Sequence, residues 1–367
     1  MNVQKLKLSN YRNFETASFS FEPDTIHVLW GKNAQGKSNL IESIYFLSHL
    51  RSWRTSKTVS LINHGQENFC LECTVENKGR LEVLKTVFSS GKKAVFRNGK
   101  PVKSFSNFVG ILNAVLFSPD DLTLFSDPPK ERRQFLDREL VKLSRSYTHT
   151  LSQFNALLKE RNAVLKSPHV NEALLQALTS QMIEQESILI AQRSQFLGLL
   201  EKKAKEIYPI LCENAKEELS LFYQTCVDPH QDIKAQLKQL YTKTLAKDKQ
   251  MHLTTHGAHK DDLIFCLNGK PVTQTASQGQ KRSIMLALKI GLCKTIQEKG
   301  GQNPILLLDD VFSELDPQRR KGLIAAFPDE IQIFITTAET VSPSWFERPV
   351  CFYTVDHGVM KEGIYDI

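Results

Sequence analysis

Eight residues near the N-terminus fit a loop that binds nucleotide phosphates. The run Gly31-Lys32-Asn33-Ala34-Gln35-Gly36-Lys37-Ser38, called here the phosphate loop, matches the pattern Gly-x-x-x-x-Gly-Lys-Ser/Thr completely. Its glycines let the backbone turn so that successive N–H groups point at phosphate oxygens, and a helix N-terminus adds a favourable dipole. We expect the Lys37 ammonium to lie beside the β- and γ-phosphates and the Ser38 hydroxyl to bind Mg²⁺. The sequence therefore predicts an ATP site.

Two aspartates far along the chain fit the second part of such a site. The apolar run at residues 304–308 is typical of a buried parallel strand, and Asp309 and Asp310 follow it directly. We expect Asp309 to hold Mg²⁺ together with Ser38, and Asp310 to orient or activate the attacking water. Without the phosphate loop, the same pair would equally fit a cap of the next segment.

The segments around these residues predict the elements that position them. A strand at residues 25–30 and a helix at 37–50 flank the phosphate loop, and alternation over 69–88 predicts a sheet. The pentapeptide Asn-Gly-Lys-Pro-Val occurs at 98–102 and again at 268–272. Asn-Gly between apolar runs favours a type I′ hairpin, so we expect two hairpins with similar turns.

The middle of the chain has a helical pattern. Apolar residues recur at helical spacing over 130–166 and over 171–208, with a break at Ser167-Pro168, and Pro209 should kink or end the second helix. Two long helices with a short break predict a short antiparallel helical arm. The predicted fold is an α/β ATPase lobe in two segments, 1–115 and 251–367, interrupted by a mainly helical lobe, 116–250.

Composition narrows the class of protein. The chain has 367 residues, 41% of them hydrophobic, and a net charge of +7, which permits a nucleic-acid partner without requiring one. Its seven cysteines are scattered, and the lone Cys70-x-x-Cys73 favours strand residues over a zinc site. The pair His256 and His259 lacks a third metal ligand at suitable spacing. No signal peptide and no run of about 18 apolar residues is visible, so we expect a soluble cytoplasmic protein.

A further segment resembles a known ATPase motif. Ser277-Gln278-Gly279-Gln280-Lys281-Arg282, called here the signature segment, precedes an apolar helix and resembles the signature motif of ABC-type ATPases. The four residues 313–316 resemble their D-loop, and that name is kept here. The order of phosphate loop, helical insertion, signature segment, second carboxylate and D-loop resembles the SMC-like branch of these ATPases.

More of the chain resembles one family within that branch, the RecF family of DNA repair proteins. The matching segments are Leu8-Ser9-Asn10-Tyr11-Arg12-Asn13-Phe14, Thr255-His256-Gly257-Ala258-His259-Lys260-Asp261-Asp262, and residues 31–38, 117–122, 132–137, 277–282 and 309–316. The resemblance implies an ATP-dependent homodimer. Ser277, Gln278 and Gly279 of one copy would contact the γ-phosphate held by the phosphate loop of the other.

The resemblance also implies a cellular role. It implies a weak, DNA-stimulated ATPase that binds single-stranded and gapped DNA and helps to load a recombinase, together with RecR and RecO, in gap repair, replication and SOS induction. A structural SMC-like or transporter-associated ATPase is the alternative. A P-loop kinase or GTPase would leave residues 277–282 unexplained and would need an acceptor pocket or a guanine-reading Asn-Lys-x-Asp, which the sequence lacks.

Several positions depart from the resembled patterns. Asp310 stands where most ABC-type ATPases have Glu, and its shorter reach predicts slow turnover. Thr336-Thr337 stand where a switch histidine is expected, and no glutamine lies within 117–122. Ala258 and Lys260 replace the Pro and Arg expected of the RecF pattern.

Two further sets of residues are candidates for binding. Arg12 and Asn13 follow the first strand and are candidate nucleotide contacts. Basic residues around the first hairpin and after the phosphate-loop helix are candidate contacts for the DNA backbone. The members of this basic set are Arg51, Arg54, Lys92, Lys93, Arg97 and Lys100.

Overall fold

A computed structural model describes residues 1–212 and 216–363 of the chain. The strands are β1 (Asn2–Tyr11), β2 (Phe14–Ser20), β3 (Ile26–Trp30), β4 (Asn68–Asn77), β5 (Arg80–Ser89), β6 (Lys92–Arg97), β7 (Lys100–Pro101), β8 (Ala114–Phe117), β9 (Leu219–Gln224), β10 (Asp262–Leu267), β11 (Lys270–Pro271), β12 (Ile305–Leu308), β13 (Ile333–Thr337), β14 (Val350–Asp356) and β15 (Val359–Glu362). The helices are α1 (Lys37–His49), α2 (Pro129–Leu143), α3 (Arg145–Leu165), α4 (Glu172–Leu211), α5 (Ile233–Met251), α6 (Val272–Thr275), α7 (Gln278–Gly300) and α8 (Pro317–Ala325).

The chain divides into two compact units. The first contains Met1–Leu122, Lys203–Glu217 and Ser277–Ile367, and the second contains Thr123–Lys202 and Glu218–Ala276. The boundaries expected from the sequence lay at 115/116 and 250/251. The outer borders of the second unit lie at 122/123 and 276/277, and the end of α4 belongs to the first unit.

The first unit contains a largely parallel sheet in the order β15-β14-β3-β13-β12-β8. Strands β14, β3, β13, β12 and β8 run parallel, and β15 pairs antiparallel with β14. Every residue of β12 is buried, which explains its continuous apolar run. Because carboxyl ends of neighbouring parallel strands meet at one edge, β3, β13 and β12 bring the phosphate loop, Thr336 and Asp309 together.

A second sheet of this unit is antiparallel, in the order β2-β1-β4-β5-β6-β7. Cys70 and Cys73 both lie in β4, so the strand predicted for them is confirmed. The turn between β6 and β7 has φ of 50° at Asn98 and 76° at Gly99. Positive φ at both positions is the geometry of a type I′ turn, and Asn268 and Gly269 repeat it between β10 and β11.

The second unit contains helices and a small sheet, β11-β10-β9. The single helix expected over 130–166 is wrong, because α2 ends at Leu143 and Ser144 begins α3 by accepting a hydrogen bond from the Tyr147 N–H at 3.1 Å. Pro209 lies inside α4, which ends at Leu211. Strand β9 was not foreseen within the mainly helical segment, because six residues give a weak period-2 signal.

Two of the RecF-like segments form a buried polar network in the second unit. The Arg193 guanidinium lies 2.8 Å from Asp137 and 3.4 Å from Asp261, and donates to the Ala258 carbonyl at 2.9 Å. Arg132 forms two hydrogen bonds to Asp262, each of 2.7 Å. These motif residues therefore pair one another's charges, and removing one partner would leave a buried charge uncompensated.

His259 belongs to the same buried region. Its Nε2 lies 3.1 Å from the Thr254 carbonyl, and burial lowers the pKa of its imidazole to about 4.

Within residues 1–212 and 216–363, no helix has the length and apolar character to cross a membrane.

Candidate nucleotide site

Close backbone contacts define the phosphate loop between β3 and α1. Gly31 and Gly36 have φ of 154° and 110°. A Cβ at Gly31 would lie 2.4 Å from the carbonyl oxygen of Val355 in β14, and one at Gly36 would lie 2.6 Å from Asn13 Nδ2. Neither position therefore has room for a side chain, and the strand–loop–helix context predicted from the sequence is confirmed.

Two turns hold the phosphate loop from outside. Asn13, after β1, donates to the Gln35 carbonyl at 3.2 Å and accepts from Asn39 at 2.8 Å. From the β14–β15 turn, the N–H groups of His357 and Gly358 donate to Gln35, at 2.7 Å to its side chain and 3.1 Å to its carbonyl. Asn13 thus braces the loop in this structure, and its contact with nucleotide remains a prediction.

Lys37 lies within the curve of the phosphate loop. Its Nζ donates to the carbonyls of Gly31 at 2.6 Å and Lys32 at 2.7 Å. Burial lowers the pKa of the Lys37 ammonium, while Asp310 and Asp309 act in the opposite direction. The Lys37 ammonium is therefore held at the loop by backbone carbonyls, and the negative charge of a bound triphosphate would favour its protonated form.

A single carboxylate, directly after β12, joins the start of α1 to the end of β13. Asp309 Oδ1 accepts hydrogen bonds from Ser38 Oγ and Thr336 Oγ1, each of 2.7 Å. Burial raises the pKa of Asp309, and these two hydrogen bonds oppose the shift. The adjacent Asp310 has a φ of 49° and donates its N–H to Thr336 Oγ1 at 2.9 Å. Hydroxyl and carboxylate oxygens at this spacing are donors of the type that Mg²⁺ prefers.

These groups surround a cavity of about 290 Å³ in the first unit. This volume is near the lower end of the range for small-molecule sites. The lining residues are Asn33, Ala34, Gln35, Gly36, Lys37, Ser38, Asn39, Arg54, Asp310 and Thr336. Six of the thirteen predicted nucleotide contacts, residues 33–38, thus line this cavity together with the predicted catalytic Asp310. Asn39, Arg54 and Thr336 are additions.

A buried carboxylate places Arg12 and Arg54. Glu42 in α1 is fully buried and forms two hydrogen bonds of 2.8 Å with Arg12 and one of 2.5 Å with Ser52 Oγ. Arg54 lies 3.9 Å from Glu42 and donates to Asn39 at 2.7 Å. Arg54, which was predicted to contact DNA, lines the nucleotide cavity. Arg12, which was predicted to contact the nucleotide, is not among the residues that line it. The sequence signal that could have predicted these contacts was a single Glu in an apolar helix, because a buried carboxylate needs a cation beside it.

The signature segment begins α7 with an exposed helix end. Ser277 Oγ accepts from the Gln280 N–H at 3.2 Å, and Gln280 Oε1 accepts from the Ser277 N–H at 2.7 Å, which together form a capping box. Ser277 and Gln278 are exposed, while the following turns of α7 are buried. Among the residues that line the cavity, none comes from the signature segment.

The remaining basic candidates differ in their surroundings. Lys93 donates to the Leu50 carbonyl at 2.8 Å, and burial lowers the pKa of its ammonium. Arg97 forms two hydrogen bonds with Glu82, of 2.6 and 2.7 Å. Arg54 and Arg97 are exposed but lie beside carboxylates. Arg51, Lys92 and Lys100 are exposed and have no ion pair among those given for the described residues.

Comparisons with known proteins agree with this geometry. Residues 2–361 match the family model described as the RecF/RecN/SMC N terminal domain. The DNA replication and repair protein RecF of Oceanobacillus iheyensis is 37% identical to the chain, covering 92% of the chain and 93% of that relative. RecF of Bacillus subtilis is 36% identical with the same coverage. The chain belongs to the RecF family of DNA replication and repair proteins.

Solved structures support the same assignment. The recombination mediator RecF–ATP of the RecFOR pathway has a TM-score of 0.87 and 29% identity, and covers 98% of this chain and 97% of its own. An Smc head bound to the C-terminal winged-helix domain of ScpA has a TM-score of 0.59 and 16% identity over 98% of this chain and 97% of its own. The latter likeness concerns the fold alone, which is that of an ABC-type ATPase.

We predict that Arg54→Met weakens ATP binding by about tenfold, because a charge-assisted contact to phosphate is worth roughly 1.5–3 kcal/mol. Titration with a fluorescent ATP analogue measures the affinity. Arg80→Met, which removes an exposed arginine at the start of β5, is the matched control and should bind as the parent does. Equal affinity of the Arg54→Met chain and the parent would contradict a nucleotide role for Arg54.

Proposed function

We propose that this RecF-family chain is a weak, DNA-stimulated ATPase whose ATP-bound form is a dimer on single-stranded and gapped DNA. One observation carries the proposal. The capped, exposed N-terminus of α7 contributes nothing to the nucleotide cavity of its own chain. A helix end of this type attracts anionic groups, so a second copy that supplies its triphosphate accounts for both features.

Within one copy, the cavity groups have distinct roles. Lys37 and the N–H groups of the phosphate loop bind the β- and γ-phosphates, and Arg54 adds a second cation. Ser38 and Asp309 would hold Mg²⁺, which neutralises charge that develops on the phosphate oxygens. Asp310 is placed to orient the attacking water, since its backbone is fixed to Thr336.

Slow hydrolysis follows from the groups around Asp310. Its carboxylate is one methylene shorter than a glutamate, and its left-handed backbone leaves little freedom to compensate. Thr336 stands where a switch histidine is expected, and its hydroxyl already donates to Asp309 and accepts from the Asp310 N–H. We infer that hydrolysis acts as a timer for release of the dimer.

The DNA contacts are proposed for Arg51, Lys92 and Lys100, the exposed members of the basic set that have no ion pair among those given for the described residues. Cations near phosphates release counterions and favour binding that depends on salt but little on sequence. Arg97 contributes less in this proposal, because Glu82 already neutralises it.

The cellular role is proposed from the relatives. Full-length likeness to RecF proteins favours gap repair and replication, with RecR and RecO as partners and loading of a recombinase, linked to SOS induction, as the outcome. We place this activity in the cytoplasm. A structural SMC-like or transporter-associated role has weaker support, because the Smc heads are only 16–17% identical.

We predict that ATP with Mg²⁺ doubles the mass of the chain in light scattering and that ADP does not. Ser277→Arg should stay monomeric at saturating ATP, because its bulk and charge occupy the place of the partner's γ-phosphate. At concentrations too low for the parent to dimerise, its ATP affinity should equal that of the parent, since its own cavity is intact. A parent chain that remains monomeric with bound ATP would refute the shared site.

We predict that replacing both Lys92 and Lys100 by Ala weakens binding to single-stranded DNA. The slope of log affinity against log salt should fall by roughly 1.4, or about 0.7 for each phosphate that a lysine no longer neutralises. Fluorescence anisotropy at several salt concentrations gives the slope. Lys234→Ala, at an exposed lysine that pairs with Glu184, is the control. An unchanged slope in the double variant would place the DNA elsewhere.

A further inference from the structure

Arg320 in α8 lies between the D-loop and the turn that follows β13. Its Nη2 donates to the carbonyl of Phe312 at 2.9 Å and to that of Leu315 at 3.2 Å. These carbonyls lie just before and within the D-loop, whose residues Ser313 and Asp316 are exposed. One guanidinium thus holds the backbone of a segment in which Ser313 and Asp316 are exposed and Leu315 is buried.

The same guanidinium reaches the edge of the nucleotide site. Arg320 lies 2.7 Å from the Glu339 carboxylate. The Glu339 N–H donates to Thr337 Oγ1 at 3.0 Å, so this turn is anchored to the end of β13. The preceding residue, Thr336, lines the cavity and bonds Asp309. The polar contacts therefore run from Asp309 to the D-loop backbone through one turn and one arginine.

Aromatic packing fixes the plane of this arginine. Its guanidinium carbon lies 5.9 Å from the ring centre of Phe312 and 5.7 Å from that of Trp345. The two rings are nearly perpendicular, at 87°. A planar, delocalised cation can stack on rings and bond carbonyls at once, whereas a lysine ammonium has neither the plane nor the fork.

A neighbouring arginine extends the contacts to the signature segment. Arg319 pairs with Asp316 of the D-loop at 2.9 Å. A Cβ at Gly279 would lie 2.5 Å from Arg319 Nη1, so the guanidinium lies directly against the signature glycine. Consecutive residues of α8 therefore contact the D-loop from two sides.

We propose that Arg320 is a positioning residue that couples occupancy of the nucleotide cavity to the conformation of the D-loop, through Glu339 and the Thr336–Thr337 end of β13. The inference rests on the proposed ATP-dependent dimer for its purpose, because the D-loop and the signature segment are the surfaces that a second copy would meet. It assigns to an ion pair the link that a switch histidine would otherwise provide. ATP that alters the contacts of Thr336 changes the turn held by Arg320, and the D-loop carbonyls follow.

The test uses the full-length Ser277→Arg chain, in which the D-loop can be observed without dimer formation. Amide hydrogen exchange of residues 311–316 is measured with and without ATP-Mg²⁺, and ATP affinity is measured in parallel. We expect ATP to slow exchange there by about fivefold or more, the lower end of typical coupling between sites. Arg320→Lys and, separately, Glu339→Gln should reduce this protection to less than about twofold while ATP affinity changes by less than about twofold.

Arg348→Lys is the matched control. Arg348 is also partly buried in the first unit and also binds backbone carbonyls, those of Asp24 at 2.9 Å and Ile331 at 2.7 Å, but it has no contact with the D-loop among those that the structure gives. It should lose stability comparably to Arg320→Lys and retain the protection by ATP. A purely structural role of Arg320 would affect the two variants alike.

Four results would overturn the proposal. Three concern hydrogen exchange: no protection of 311–316 by ATP in the Ser277→Arg chain, full protection in Arg320→Lys, or equal loss of protection in Arg348→Lys. A parallel loss of ATP affinity in Arg320→Lys would also overturn it, because Arg320 would then act on binding itself. Failure of the parent chain to dimerise is a separate result. It would refute the proposed function and leave the exchange measurement readable.

Discussion

Two hydrogen bonds to Oδ1 of Asp309 hold together the chain segments around the nucleotide cavity. This oxygen accepts from Ser38 at the start of α1 and from Thr336 in β13, while Asp309 itself follows β12 directly. Three chain segments distant in sequence are thereby held at one edge of the parallel sheet. This arrangement requires the strand order β3-β13-β12, and that order in turn requires strands buried on both faces. The phosphate loop, Asp310 and the turn leading to Arg320 all lie next to these segments.

The same geometry leaves the signature segment out of the nucleotide cavity of its own chain. The cavity contains the phosphate loop, two cations and a carboxylate, but no group from the signature segment. The signature segment is well formed, since the capping box fixes Ser277 at the end of α7. In the proposed dimer, the exposed helix end of one copy would meet the nucleotide cavity of the other. Arg319 and Arg320 contact the D-loop, and Arg319 also lies against Gly279 of the signature segment.

Local patterns in the sequence were sufficient for the parts of the site that depend on local geometry. The phosphate loop, the buried strand before Asp309 and both Asn-Gly turns follow from spacing and from glycine conformations alone. Features that depend on distant contacts were not predictable in this way. The positions of Arg12 and Arg54 follow from the burial of Glu42. Strand β9 forms by pairing with β10. The role proposed for Arg320 depends on its contacts with Glu339 and Trp345, which come later in the chain.

The central claim is that each ATP site is built from two copies, and a mixing experiment tests it directly. Lys37→Ala lacks a working phosphate loop, and Ser277→Arg lacks a working signature segment, so each should be inactive alone in a DNA-stimulated ATPase assay. A heterodimer of the two contains one intact site, formed by Lys37 of one copy and Ser277 of the other. The account predicts that mixing the two variants restores part of the parental ATPase activity. If the mixture stays as inactive as its components while both bind DNA, the site is not shared.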